Sequence, residues 1–353
     1  MAAVTHIYAG VARWRAKGKL AGVFRAEAGE GRWEHLTRGL PEEIHVQAVT
    51  VHPQNPDVVF AGTHDGPYRS TDRGEHWQKC DFPDRNMQVW SILVHPIRPQ
   101  TVYVGTAPLG VYRSDDGGEH FRLLARPNMP ARCEMGFAPR VMRLAVDPQN
   151  PDILYAPMEV NGVMRSTDGG ESWQDCSETL IRLSEQRPHL KSGLVSKMDS
   201  EGMLDVHALC VTPADPGGVF IALRMGLFHS ADRGETWEDM EVKRFSPLTY
   251  GRDVRMSPQD PRVLYACLSV EAFGKTGSLC RSDDVGKTWR RFDHDTNPRG
   301  TMMNLALHPR DPNQVYSIAR GGQAFGTLDG GKSWREYPLP ADVSPDCYAI
   351  ACG

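Results

Sequence analysis

Two sets of residues in this 353-residue chain are of types that carry out chemistry. The first is compact. "RSTDGGESW", residues 165–173, places Ser166, Asp168, Glu171, Ser172 and Trp173 around a glycine pair. A serine beside a carboxylate suits a nucleophile with an acid partner. The same residues beside glycine equally suit a tight turn held by its own polar side chains. The second set is scattered. Asp205, His207, Tyr250, Glu159, Asp346 and Tyr348 can move protons or attack as nucleophiles, and Arg13, Arg140, Arg143, Arg224, Arg252 and Arg320 can grip anions through paired donors. What positions these residues decides which set matters.

The compact set is one copy of a repeat. "STDRGEHW" (70–77), "SDDGGEHF" (114–121), "STDGGESW" (166–173), "SADRGETW" (230–237), "SDDVGKTW" (282–289) and "TLDGGKSW" (327–334) share Asp third, Gly fifth and an aromatic eighth. A Pro-rich turn precedes each, as in "HPQNPDVVF" (52–60) and "DPQNPDILY" (147–155), and an apolar run leads into each turn. The unit reads strand, Pro-rich turn, strand, loop, strand, Asp-Gly turn, strand. A four-stranded antiparallel meander of roughly 40–45 residues is the period of a propeller blade. This predicts an all-β, seven-bladed β-propeller over residues 1–353 with no second domain. Full blades are expected near 46–80, 89–124, 141–176, 206–240, 251–292 and 303–337, and the chain ends (346–353 with 6–36) close the ring as the seventh. Closing the ring removes the exposed sheet edges that unpaired chain ends would leave.

Composition fits this reading. The chain is 40% hydrophobic and 24% charged with a formal net charge of −4, which gives no electrostatic case for nucleic acid or a membrane surface. No apolar stretch approaches the roughly 18 residues of a membrane span. The N-terminus lacks the basic and apolar regions of a secretory signal, so the cytoplasm is the expected compartment. The eight cysteines form no CxxC pair and are expected to be reduced, structural thiols.

The Asp-Gly turn resembles the Asp box, or BNR repeat, S/T-x-D-x-G-x-T/S-W/F. Asp-box propellers include sialidases, two-propeller xyloglucanases, sortilin-type receptor domains and photosystem II assembly factors, so the resemblance implies a fold and leaves activity open. Six equivalent boxes cannot all act on one small substrate. The box is expected to be a fastener in which Asp accepts its own turn's N–H groups, Gly supplies a left-handed backbone, and the aromatic packs between sheets. His52, His95 and His308, at the head of the Pro-rich turns, read as turn caps.

Function is then expected where the repeat stops being uniform. Three residues before each Pro-rich turn the inner strand carries Val49, Ile92, Leu144, Leu209, Val254, Leu305 and Ile350, all core. Two residues earlier, on the same face by strand alternation, it carries Gln47, Trp90, Met142, His207, Arg252, Met303 and Tyr348. Two earlier again it carries His45, Gln88, Arg140, Asp205, Tyr250, Thr301 and Asp346. The loops between second and third strands add Arg13, His64, Asp65, Glu159, Arg224, Glu271, Lys275 and Arg320 on the same face. The insertions 125–140 and 177–205 are expected to cover it as a lid. A polar pocket at this channel mouth, opposite the Asp boxes, is the expected site.

Three chemistries suit that pocket. The arginines, with Trp90 and Gln88, would bind a small anionic molecule or charged glycan for a hydrolase or lyase, with His207, Asp205 or Tyr250 moving protons. The resemblance to sialidases would make Tyr250 or Tyr348 a nucleophile, Glu159 or Glu271 its partner, and Asp205 or Asp346 the acid/base, although the sialidase Arg-Ile-Pro motif is absent. Alternatively, His45, His64, His207 and Glu159 would hold a divalent metal ion for a lactonase- or lyase-type reaction. A third reading is a non-enzymatic module that recruits a protein or peptide.

Overall fold

The computed structural model describes residues 4–14, 16, 18–126, 132–133, 136–193, 196 and 198–353. Among them the strands form seven antiparallel sheets, six of them meanders in chain order and the seventh joining the two chain ends. Blade 1 is built from Val46–Val51, Val59–Thr63, Gly66–Ser70 and Gln78–Lys79. The remaining inner strands are Gln88–Val94 in blade 2, Arg140–Val141 with Ala145–Val146 in blade 3, and Val206–Val211 in blade 4. Tyr250–Met256 serves blade 5 and Met302–Leu307 blade 6. In the closing blade Asp346–Cys352 pairs antiparallel with His6–Ala12 from the other chain end. The fold is therefore the expected seven-bladed β-propeller, closed by pairing of its termini.

Each Asp box is a fastener. In the third copy the Ser166 hydroxyl donates to Asp168 Oδ1 at 2.7 Å and accepts the Gly170 N–H at 2.8 Å. Asp168 accepts the Ser172 N–H at 2.9 Å. The fifth-position glycines Gly74, Gly170 and Gly234 have φ of 91°, 99° and 92°, which side chains resist. The aromatic reaches the preceding blade: the Trp237 indole donates to the Cys176 carbonyl at 2.8 Å. The Pro-rich turns are capped as expected, with His95 Nδ1 accepting the Ile97 and Arg98 N–H groups and Asp147 accepting those of Gln149 and Asn150. All eight cysteines are free thiols, and seven are buried.

Strand alternation does not carry the inner columns to the channel. Every inner strand holds one extra residue opposite its neighbour. Pairing skips Gln47, Trp90, His207, Arg252 and Met303 in five blades and Tyr348 in the closing blade. In blade 3 the strand breaks at Met142, whose N–H still reaches the Pro157 carbonyl. Such β-bulges re-aim a side chain. All seven bulged residues line one central cavity. The column two residues earlier therefore leaves the channel axis and lies above it.

The expected lid is absent from the described part of 177–205. Leu180, Leu183, Leu190 and Met203 are buried with Tyr155, Val163 and Trp237 in the core between blades 3 and 4. A helix at Glu178–Gln186 and a short one at Glu201–Leu204 fill that wedge, and the second delivers Asp205 to the mouth. Positions 127–131 and 134–135 of the other insertion lie outside the described residues.

Candidate functional site

The central cavity is small, about 50 Å³. That holds a few water molecules and excludes a sugar ring. It is closed below by a charged plug. Asp253, with no exposed side-chain surface, takes Arg143 Nε at 3.2 Å and Arg255 Nε at 3.2 Å. Asp253 also accepts the Leu305 N–H at 3.1 Å and the Asn304 amide at 3.0 Å, tying blade 5 to blade 6. Arg143, expected among the substrate-binding arginines, thus lies below the mouth in an ion pair.

Above the cavity the structure brings most of the expected residues together. His207 Nδ1 lies 2.7 Å from the Gly251 carbonyl, so that nitrogen carries a proton, and in the neutral ring Nε2 accepts the Tyr250 hydroxyl at 3.2 Å. Asp205 Oδ1 is 3.2 Å from the same Nε2, and Arg224 is 2.6 Å from Asp205 Oδ2. Burial works to raise the Asp205 carboxyl, but His207 when it is protonated, together with Arg224 and Arg252, holds it well below the ordinary carboxylate range. Asp205 is therefore an anchoring anion and a poor proton donor. Burial pushes the Tyr250 phenol up to about 12, so its proton leaves only with help from a base.

The arginines divide. Arg13 pairs with Glu43 at 2.9 Å, Arg140 with Glu159 at 2.8 Å, and Arg224 with Asp205. Arg252 and Arg320 have no acidic partner among the described residues. Arg252 is buried and faces the cavity. Arg320 lies over the rings of Phe273 at 4.1 Å and Tyr348 at 5.5 Å. Burial lowers the Arg320 guanidinium, and the Arg252 charge adds to that. Burial opposes the Arg252 charge, but Tyr250, Glu159 and Asp205 raise it overall.

The rim is aromatic. Arg140 is sandwiched between Trp90 at 4.2 Å and Phe137 at 4.1 Å, and Gln88 accepts the Trp90 indole N–H at 3.4 Å. Trp90 meets Tyr348 edge-on at 5.6 Å. Phe137 and Phe273 are exposed by 38% and 50% and were not singled out by the repeat, because they lie in loops with no counterpart in other blades. Asp346 accepts the Trp14 backbone N–H at 3.0 Å and so holds the loop after the first strand. Its position is that of a brace.

The expected metal set splits. His45 and His64 lie together in blade 1 with ring centroids 5.0 Å apart and the rings tilted by 45°, beside Trp14. Glu159, Asp205 and His207 bring ligand atoms within 4.8 Å of one another between blades 3 and 4. The donor types of this trio suit a divalent ion, but their oxygens already face Arg140 and Arg224, with Arg252 close by. Adding a dication among these guanidinium groups is electrostatically unfavourable. The residues do not fit a metal.

A family model described as Sortilin-Vps10 (sortilin, neurotensin receptor 3) matches residues 65–201. The chain is 27% identical over 197 residues to xyloglucanase Xgh74A of Acetivibrio thermocellus, covering 52% of this chain and 20% of that one. It is 21% identical over 345 residues to an oligoxyloglucan-reducing end-specific xyloglucanase of Emericella nidulans, covering 83% and 40%. It thus spans less than half the length of these relatives. Among solved structures, the GH74 xyloglucanase from Xanthomonas campestris aligns with a TM-score of 0.61 at 17% identity, over 98% of this chain and 52% of that one. YCF48 bound to D1 peptide aligns at 0.52 and 14% identity, over 84% and 82%. Repeat, topology and these likenesses agree that the chain is a seven-bladed β-propeller of the Asp-box, or BNR-repeat, type.

Proposed function

We propose that the protein is a hydrolase for a glycan that carries an acidic group, bound at the channel mouth above the bulged residues. The observation that carries this is the pairing of Tyr250 with His207 beside Arg252 and Arg320, which have no ion-pair partner among the described residues. Tyr250 is a nucleophile within hydrogen-bond reach of a base, and the base is oriented by the Gly251 carbonyl. Arg252 and Arg320 supply the cationic surplus that a carboxylate would neutralise. The aromatic rim at Trp90, Phe137 and Phe273 offers flat apolar surfaces for sugar rings. In this reading the Tyr250 oxygen attacks the anomeric carbon as His207 Nε2 takes its proton, and the glycosidic C–O bond breaks, its oxygen leaving with a proton from solvent. A water deprotonated at His207 then hydrolyses the glycosyl–tyrosine intermediate and restores the tyrosine. The relatives named as xyloglucanases support a glycan substrate. The acidic group, and the choice of hydrolysis over the lyase alternative, are read from this site alone.

One observation favours a second reading, a module that binds a peptide. Glu159 and Asp205 are each held in an ion pair, with Arg140 and Arg224, so the mouth presents no unpaired carboxylate from blades 3 and 4 among the described residues. The test is turnover of two oligosaccharide sets, one ended by a uronic acid and one neutral and xyloglucan-derived. Cleavage of the acidic set is the expected result. Cleavage confined to the neutral set overturns the acidic assignment, and cleavage of neither overturns the hydrolase.

A further inference from the structure

The opposite mouth of the channel, on the Asp-box side, opens into a separate cavity of about 480 Å³. This lies in the size range of small-molecule sites, roughly 300–1,000 Å³. Its wall is built by the repeat. The last residue of each inner strand (Val51, Val94, Val146, Val211, Met256, Leu307 and Cys352) forms an apolar ring around it, and Pro53, Pro96, Pro258 and Pro309 of the turns form its lip.

Its floor breaks the pattern. Arg143 and Arg255 are the only charged side chains that line it among the described residues, and both also line the small central cavity, so they partition the two. Both share one counter-ion, Asp253, which lies behind them with no exposed side-chain surface. Their own side chains keep 26% and 29% exposure. The floor therefore carries one positive charge in excess at the end of an apolar funnel. Burial, reinforced by the neighbouring Arg255, brings the Arg143 guanidinium down to about 10, a strain that a second anion would relieve.

The geometry points to a second binding site here, for an aliphatic monocarboxylic acid of medium chain length, with its carboxylate on Arg143 and Arg255 and its chain along the strand ends. Apolar walls supply most of the binding free energy by area, and the guanidinium pair selects the acid over an uncharged chain of equal length.

Calorimetric titration of the full chain with octanoate, octan-1-ol and acetate tests this. Octanoate should bind, one molecule per chain, roughly tenfold or more tighter than either control. Arg143→Gln should weaken octanoate by roughly tenfold. Leu307→Trp fills the funnel without touching the arginines, so it decides the matter even if Arg143→Gln fails to fold, and it should abolish octanoate binding. Arg320→Met, at the other mouth, should leave octanoate binding unchanged. Equal affinity for octanoate and octan-1-ol, no effect of Leu307→Trp, or loss of octanoate binding in Arg320→Met would each overturn the proposal.

Discussion

Each blade treats two positions in opposite ways. At the Asp box, copy after copy makes the same hydrogen bonds: Ser70, Ser114, Ser166, Ser230 and Ser282 each donate to the Asp two residues on, and each accepts the N–H of the Gly four residues on. At the β-bulge all seven blades share a backbone irregularity, while five side-chain types beyond the repeated Met occupy it: Gln47, Trp90, His207, Arg252 and Tyr348. A repeat conserves what holds it together and varies what it presents. The bulge lets one scaffold present a different side chain from every blade at a single point.

Substitutions at the bulge and at the box should therefore act differently. The largest effect is expected at the bulge end. Tyr250→Phe removes one hydroxyl from a buried site and should lower glycan turnover by roughly 10²–10⁴-fold, with a melting temperature near wild type. Unchanged turnover would remove Tyr250 from the reaction. At the fastener end, Asp168→Ala deletes the acceptor of the Ser166 hydroxyl and the Ser172 N–H. It should cost about 1–2 kcal/mol in chemical denaturation, the deduction for solvent included, and leave binding untouched.

A smaller effect, of opposite sign, is expected within the boxes themselves. The position before the conserved glycine is left-handed in all six boxes: Gly117, Gly169 and Gly330 have φ of 77°, 73° and 73°, and Arg73, Arg233 and Val285 have 62°, 61° and 59°. Replacing Arg233 by Gly should stabilise the fold by about 0.5–1 kcal/mol, as the relief of a left-handed side chain outweighs the added freedom of the unfolded chain.

The smallest effect is a pH dependence. Burial lowers the His52, His95 and His308 rings from the ordinary value of 6.5, and each accepts backbone N–H groups while neutral. As pH falls below about 6.5 the unfolded chain takes up these protons first. Stability from the neutral rings is therefore present above that pH and is lost as pH falls through the folded values. Melting temperatures from pH 7.5 to 5 should fall, and His95→Asp, which copies the Asp147 cap, should flatten the curve. A slope unaltered in that variant would remove His95 from the effect.

The fold was legible because it is written many times over. Six boxes and six Pro-rich turns fix strand, turn and blade without reference to any one residue, and "CYAIACG" at 347–353 with "IYAGV" at 7–11 supply the closing pair. The inner columns were legible as a set, but the reason they face the channel was not, since alternation alone would continue past Gln47 to His45. Ion pairing was the least legible. Arg143 meets Asp253 from a blade 110 positions away, and Arg224 meets an Asp205 placed by the insertion helix. The insertion itself read as a lid because its length is visible in sequence, whereas the burial of Leu180, Leu183 and Leu190 between blades depends on a gap that only the fold creates.

In the function proposed above, the diverse mouth, and none of the repeated fasteners, holds the ligand. Calorimetric titration of a uronic-acid-ended oligosaccharide into wild type, Asp168→Ala and the double variant Arg252→Met/Arg320→Met measures it directly. The account predicts equal affinity for the first two and a loss of roughly 100-fold or more in the double variant, about 1.5 kcal/mol for each charged contact removed. Undiminished affinity in the double variant, or a comparable loss in Asp168→Ala with the fold intact, would contradict it.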